Sequence, residues 1–101
     1  MARFLITYYA GNMPSDPVFI ADARRAFMRW AEQAGPALAD VGAPVRSATT
    51  ITGDGARDGV AGEPLMGWSV LEAADSDAAV RLVRDHPFIS RGGVVQICEP
   101  I

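Results

Sequence analysis

The alternation of apolar and polar positions along the chain predicts four β-strands. Residues 3–9, 44–52, 65–73 and 92–101 favour extended structure through their β-branched and aromatic side chains. The segment 53–64 lies between the second and third strands and carries four glycines with acids between them. This composition is typical of a surface loop, which we expect to be mobile unless it closes over something.

Two other segments change to the three- and four-residue spacing of amphipathic helices. The first follows a start signal at residues 15–17 and ends or bends at 35–36, with a short apolar continuation over 36–42. The second begins at the capping cluster 75–77, where acids favour the positive end of a helix. It ends at Pro87, because the residue before a proline is disfavoured in a helix.

The resulting order βαββαβ predicts one α+β domain spanning residues 1–101. Two helices on one face of an antiparallel sheet form the ferredoxin-like sandwich. Both faces of the predicted strands are apolar: in the first, Phe4 and Ile6 alternate with Leu5 and Thr7. A sheet with one wet face alternates more cleanly. We therefore expect the same face of a second copy to cover this sheet in a homodimer.

Charge and composition exclude several classes of function. The net charge is −3, and the nine basic residues are all dispersed arginines, so no basic stripe is available for nucleic acid. One cysteine and one histidine make neither a disulfide nor a zinc site. We see no apolar run of the ~20 residues that a membrane span needs, no secretory signal and no nucleotide or flavin motif. We expect a cytoplasmic protein without a metal or cofactor.

The C-terminal half, MGWSVLEAADSDAAVRLVRDHPFISRGGVVQICEPI, carries a broader pattern. Its features are a strand opening with Gly67-Trp68, an acidic helix start, His86-Pro87-Phe88, the pair Gly92-Gly93 and a final Glu99-Pro100. The chain resembles the YCII-related family, which includes YciI-like and DGPF-domain proteins. That resemblance implies a dimeric α+β barrel, and relatives with this barrel handle aromatic or polyketide-like compounds.

The chain also departs from that family's pattern. The resemblance implies a histidine on the first helix paired with an aspartate in an Asp-Pro-aromatic element. Here the first helix has no histidine, and His86 stands before Pro87 in place of the aspartate. The Asp-Gly-Pro-Phe motif is also absent. The family's His-Asp pair is therefore not carried over to this sequence.

His86 is the natural candidate for acid–base chemistry, because an imidazole titrates near neutrality. We place it in the last turn of the second helix, on the stripe that faces the core. Glu72 and Glu99 continue apolar strand faces, and either could complete a proton-transfer pair with it. The alternative is that His86 bonds a carbonyl or water at a helix end, and that both acids are solvated.

Tyr8 and Trp68 are candidates for lining an apolar pocket, and Arg25 and Arg91 for holding a carboxylate or phenolate substrate. The alternative assigns the aromatic residues to the core or an interface and the arginines to the surface. Two functions stay open. One is a cofactor-independent enzyme doing proton-transfer or lyase-like chemistry on a small organic molecule. The other is a non-catalytic dimer that binds a small molecule or a partner.

Overall fold

Six strands and three α-helices follow one another in the residues that the computed structural model describes, which are 1–12, 14, 16–60 and 62–101. The strands are β1 (Ala2–Tyr9), β2 (Leu38–Pro44), β3 (Thr49–Thr52), β4 (Gly55–Asp58), β5 (Leu65–Ala73) and β6 (Val94–Cys98). The helices are α1 (Pro17–Ala34), α2 (Ser76–Val83) and α3 (Pro87–Ser90), and a 3-10 turn, Gly35–Ala37, follows α1. None of these helices is long and apolar enough to cross a membrane.

The main sheet has four antiparallel strands in the order β2-β5-β1-β6. In β1, Phe4 lies opposite Leu71 of β5, and Ile6 lies opposite Ile97 of β6. Opposed residues of an antiparallel pair point to the same face. These side chains therefore share the face on which the helices pack. The predicted α+β class with an antiparallel sheet is confirmed.

Helix α1 forms as its sequence signals predict. The Asp16 carboxylate accepts a hydrogen bond from the Phe19 amide at 2.9 Å, and Pro17 occupies the first turn, where its missing N–H costs nothing. The helix ends at Gly35, whose φ of 55° favours glycine. Its buried residues include Trp30. Ser15, which belongs to the predicted start signal, lies outside the described residues.

The second strand lies earlier in the chain than we predicted. Strand β2 occupies Leu38–Pro44, most of which we took for an apolar continuation after the first helix, and it pairs with β5. Its sequence LADVGAP has little β-propensity, so pairing with β5 decides the conformation. Gly42 makes this approach possible: its φ is +78°, and a Cβ there would collide with the Trp68 carbonyl.

The segment 45–64 holds a hairpin rather than a strand of the main sheet followed by a loop. Strand β3 pairs only with β4, and Thr52 lies opposite Gly55 across a turn at Gly53-Asp54. Glycine and aspartate at a two-residue turn between short strands are a known hairpin signal. The predicted strand over 44–52 is confirmed only for 49–52, and it does not join the main sheet. The prediction of a loop over all of 53–64, of which Ala61 lies outside the described residues, was wrong at β4.

The second helix is shorter than we predicted. Asp75 caps α2 by accepting a hydrogen bond from the Ala78 amide at 2.8 Å, but the helix ends at Val83. Pro87 begins the separate helix α3, where its fixed φ suits a first helical position. His86 is the N-cap of α3. The prediction that placed His86 in the last turn of the second helix was wrong.

The helices cover one face of the main sheet and leave the other face exposed. The helix-side face carries the core, in which Phe4, Ile6 and Leu71 are fully buried. The opposite face, which we call the open face, carries Leu5, Tyr9, Trp68, Val70 and Val94. On it Leu5 is 41% exposed and Val94 49% exposed. An apolar sheet face is thus in contact with solvent in the single chain.

Candidate functional site

His86 lies at the centre of the helix-side core, inside a group of four rings that we call the aromatic cage: Tyr8, Phe27, Trp30 and Phe88. Its imidazole is 0% exposed. The ring centroids of His86 and Trp30 are 4.3 Å apart, and those of His86 and Tyr8 are 5.2 Å apart. Contributions from β1, α1 and α3 thus converge on the only imidazole of the chain.

The hydrogen bonds of His86 define its tautomer. The Phe88 amide donates to Nδ1 at 3.0 Å, so Nδ1 carries a lone pair and the proton of the neutral ring sits on Nε2. Nε2 is buried and has no hydrogen-bond partner in the described part of the chain. The rings of the aromatic cage surround the imidazole, so this N–H can make at best a weak N–H···π contact.

Burial lowers the pKa of His86 from 6.5 to about 4, because the cage disfavours a charged ring. Among the residues that the structure describes, no acidic group opposes this effect. At neutral pH the imidazole is therefore uncharged. Protonation would have to occur at Nδ1, where it would break the hydrogen bond that caps α3.

The polar atoms of the cage walls are satisfied within the fold. The Tyr8 hydroxyl donates to Ser69 Oγ at 2.9 Å, and Ser69 donates in turn to the Val41 carbonyl at 2.8 Å. Burial raises the pKa of the Tyr8 phenol, and the hydrogen bond with Ser69 partly opposes this. The Trp30 indole donates to the Leu82 carbonyl at 3.1 Å. These bonds fix the positions of the Tyr8 and Trp30 rings, and the raised pKa keeps the Tyr8 phenol protonated at neutral pH.

The structure does not bring the two candidate acids to His86. Glu72 lies on the opposite side of the sheet, where it forms an ion pair with Arg3 at 3.1 Å. Glu99 follows the end of β6 and is exposed. His86 therefore has no carboxylate partner in the described residues.

The remaining candidates are also dispersed. Tyr8 belongs to the helix-side face and Trp68 to the open face, so the two do not line one pocket within a chain. Arg25 is exposed on α1 and pairs with Asp22. Arg91 follows α3 and its guanidinium only approaches the Pro87 carbonyl, at 3.5 Å. Neither arginine forms a hydrogen bond with His86.

A second polar group was not anticipated from the sequence. The hydroxyls of Thr7 and Tyr9 both donate to Gln96 Oε1, at 3.4 and 3.3 Å. Of these three residues, Tyr9 and Gln96 border an open depression of about 560 Å³, which is also lined by Glu63, Val94 and Val95. In the sequence, this group is indicated only by the alternation that places Thr7 and Tyr9 on one face of β1. Their pairing with Gln96 in β6 is a long-range contact, which local patterns do not predict.

The described residues contain no group of three or more His, Cys, Asp or Glu side chains that could hold a metal ion. Cys98 is free and half-buried near the end of β6. No protein-family model matches the chain, and no curated protein matches it significantly.

Proposed function

We propose that this chain is a YCII-related, ferredoxin-like domain that works as a homodimer and binds a small organic molecule without transforming it. The observation that carries the proposal is the open face of the main sheet. The strand order β2-β5-β1-β6, with helices on the other face, is the order of the ferredoxin-like arrangement. A second copy on the open face would create the dimeric barrel that the family resemblance implies.

The large solvent-exposed area of the single chain supports a dimer interface. A folded monomer of 10.7 kDa exposes about 5,500 Å² by the usual scaling with mass. This chain exposes 6830 Å², about 1,300 Å² more than that scaling gives. Stable homodimers bury about 1,000 Å² or more on each subunit, so the excess, to which the exposed β3–β4 hairpin contributes, is comparable in size to one such interface.

The chemistry of the two polar groups favours binding over catalysis. His86 is uncharged, enclosed and without an acid partner, so it lacks the contacts that general acid–base work requires. The depression beside Tyr9 and Gln96 instead offers hydroxyl and amide groups next to the apolar Val94. A second subunit on the open face would partly enclose it, which suits a small ligand with one apolar and one polar side.

Two matched variants test the dimer by sedimentation velocity. Leu5→Glu places a charge at the centre of the open face, whereas Met28→Glu places one on the solvent side of α1, where the wild-type residue is also exposed. We expect wild type and Met28→Glu at twice the 10.7 kDa chain mass, and Leu5→Glu as a folded monomer. A wild-type monomer at micromolar concentration would contradict the proposal.

The second candidate function is a cofactor-independent acid–base enzyme. The observation that favours it is the buried Nε2–H of His86, which lacks an acceptor in the described residues. A ligand oxygen entering the cage would satisfy this donor. An NMR titration of the single imidazole in the presence of small phenols and keto acids tests it. A ligand-dependent change in the His86 signals favours the enzyme, whereas indifference to every ligand favours the binding dimer. We further propose a cytoplasmic location, with which a free Cys98 agrees.

A further inference from the structure

The depression beside β6 carries one charge, and that charge is negative. Four of the residues that line it, Tyr9, Val94, Val95 and Gln96, belong to β1 and β6, and the fifth, Glu63, stands between β4 and β5. Among these described residues Glu63 alone has an ionisable side chain of the acidic or basic kind, and it is exposed. The lining therefore presents one carboxylate and no cation to a bound molecule.

The two arginines that we expected to hold an organic acid do not line this depression. Arg25 pairs with Asp22 on α1, and Arg91 approaches the Pro87 carbonyl. A carboxylate or phenolate in the depression would meet Glu63 without a compensating cation from the lining. Like charges repel, and the net charge of −3 adds to this repulsion. The charge of the depression thus opposes the class of ligand that the sequence suggested.

Gln96 offers hydrogen-bond donors to a ligand. Its Oε1 accepts from the hydroxyls of Thr7 and Tyr9, at 3.4 and 3.3 Å. A side-chain amide also has two N–H groups on its nitrogen, and these make no hydrogen bond within the described residues. Gln96 is exposed, so a ligand can reach them. A neutral hydroxyl or carbonyl oxygen suits these donors, because Glu63 in the same lining repels an anionic one.

Tyr9 adds an aromatic surface for a cation. Its ring is half-buried and lines the depression, and Gln96 holds its hydroxyl. The face of a tyrosine ring attracts an ammonium group, and the Glu63 carboxylate attracts the same group by charge-assisted hydrogen bonding. Val94 and Val95 supply apolar contacts for the rest of the molecule.

We infer that the depression binds an organic amine in its cationic form, with an apolar body and a neutral hydroxyl or carbonyl, and discriminates against organic acids. Glu63 and Tyr9 bind the ammonium, Gln96 donates to the oxygen, and the valines contact the apolar body. This inference rests on the proposed binding of a small molecule and names its chemical class. It does not require the dimer, because all the lining residues belong to one chain.

Three probes with the same para-hydroxyphenyl body test the inference at pH 7. Tyramine carries an ammonium, para-ethylphenol carries no charge, and para-hydroxyphenylpropanoate carries a carboxylate. Chemical-shift changes of the Tyr9, Val94 and Gln96 backbone amides in NMR titrations locate the binding and give each Kd. We expect tyramine to bind about fivefold more tightly than para-ethylphenol, since an exposed ion pair contributes only modestly, and the carboxylate to bind most weakly.

A matched pair of variants assigns the preference to one side chain. Glu63→Gln removes the carboxylate of the lining, whereas Glu99→Gln makes the same change of charge at an exposed glutamate outside it. Glu63→Gln should bind tyramine no better than para-ethylphenol, and Glu99→Gln should keep the wild-type preference.

The outcomes separate this inference from the proposed function. If the carboxylate probe binds as tightly as tyramine, or if Glu63→Gln keeps the wild-type preference, the inference is overturned and the binding of a small molecule stands. If none of the three probes shifts these amides, both the inference and the proposed binding at this depression are overturned.

Discussion

The burial of His86 makes the stability of the fold depend on pH in a defined window. In the unfolded chain the imidazole has an ordinary pKa of about 6.5, whereas in the fold burial lowers the pKa to about 4. The folded state therefore binds fewer protons than the unfolded state between these values. Its stability is full above pH 6.5, falls as the pH drops through this window, and levels off below about pH 4.

The size of the effect follows from the difference between the two pKa values. The full window corresponds to about 3 kcal/mol, because each pKa unit is worth about 1.4 kcal/mol. At pH 5 most of this, about 2 kcal/mol, is already lost relative to pH 7. A domain of this size is stable by only about 5–15 kcal/mol, so the loss is readily measured.

Urea unfolding at pH 7 and pH 5 measures this loss of stability, with fluorescence of the two tryptophans as the signal. Protein concentration must be held constant, because dimerisation adds to apparent stability. The matched variant is His86→Asn, whose side-chain oxygen can still accept the Phe88 amide but does not titrate. This variant should be less stable at both pH values, because the imidazole ring that fills the cage is lost, but its pH dependence should be smaller by about 2 kcal/mol. Equal pH dependence in the two proteins would refute the reasoning.

Two further substitutions test contacts that position the site. Gly42→Ala should prevent folding or destabilise the folded state by several kcal/mol, because a Cβ there collides with the backbone of β5 and the position has a positive φ. Circular dichroism measures this loss, and Gly53→Ala, whose Cβ meets no other atom, serves as the control. Ser69→Ala leaves the buried Tyr8 hydroxyl without its acceptor and should cost about 1–3 kcal/mol in urea unfolding. Ser90→Ala, at an exposed hydroxyl, should cost less, and equal losses would show that the Tyr8 bond has no net value.

The sequence predicted those elements whose signals are local. Strand β1 follows from its β-branched and aromatic composition, and α1 and α2 start where Asp16 and Asp75 cap them. Strand β2 was missed because its conformation depends on pairing with β5, about thirty residues later in the chain, at contacts such as Leu38 opposite Leu71. Propensity alone gives no indication of such a partner.

The candidate site, too, was predictable from the sequence only in part. His86 was identified as the candidate group, and its position next to Pro87 could have indicated a helix start, since proline favours the first helical position. Its four ring neighbours come from distant parts of the chain, so the cage and the resulting fall in pKa followed only from the fold. The distance of Glu72 from His86 likewise depends on which sheet face each residue takes.

The irregular edge of β2 has a consequence for the behaviour of many chains together. Register shifts interrupt its pairing with β5, the Asp40 carboxylate occupies the Gly42 amide at 2.8 Å, and Pro44 has no N–H to donate. An added strand would find few free partners there. A continuous ribbon of main sheets needs two open edges on every copy, and here one of the two is closed. Concentrated solutions of the folded protein should therefore resist fibre growth through this sheet, even while its open face remains free to associate.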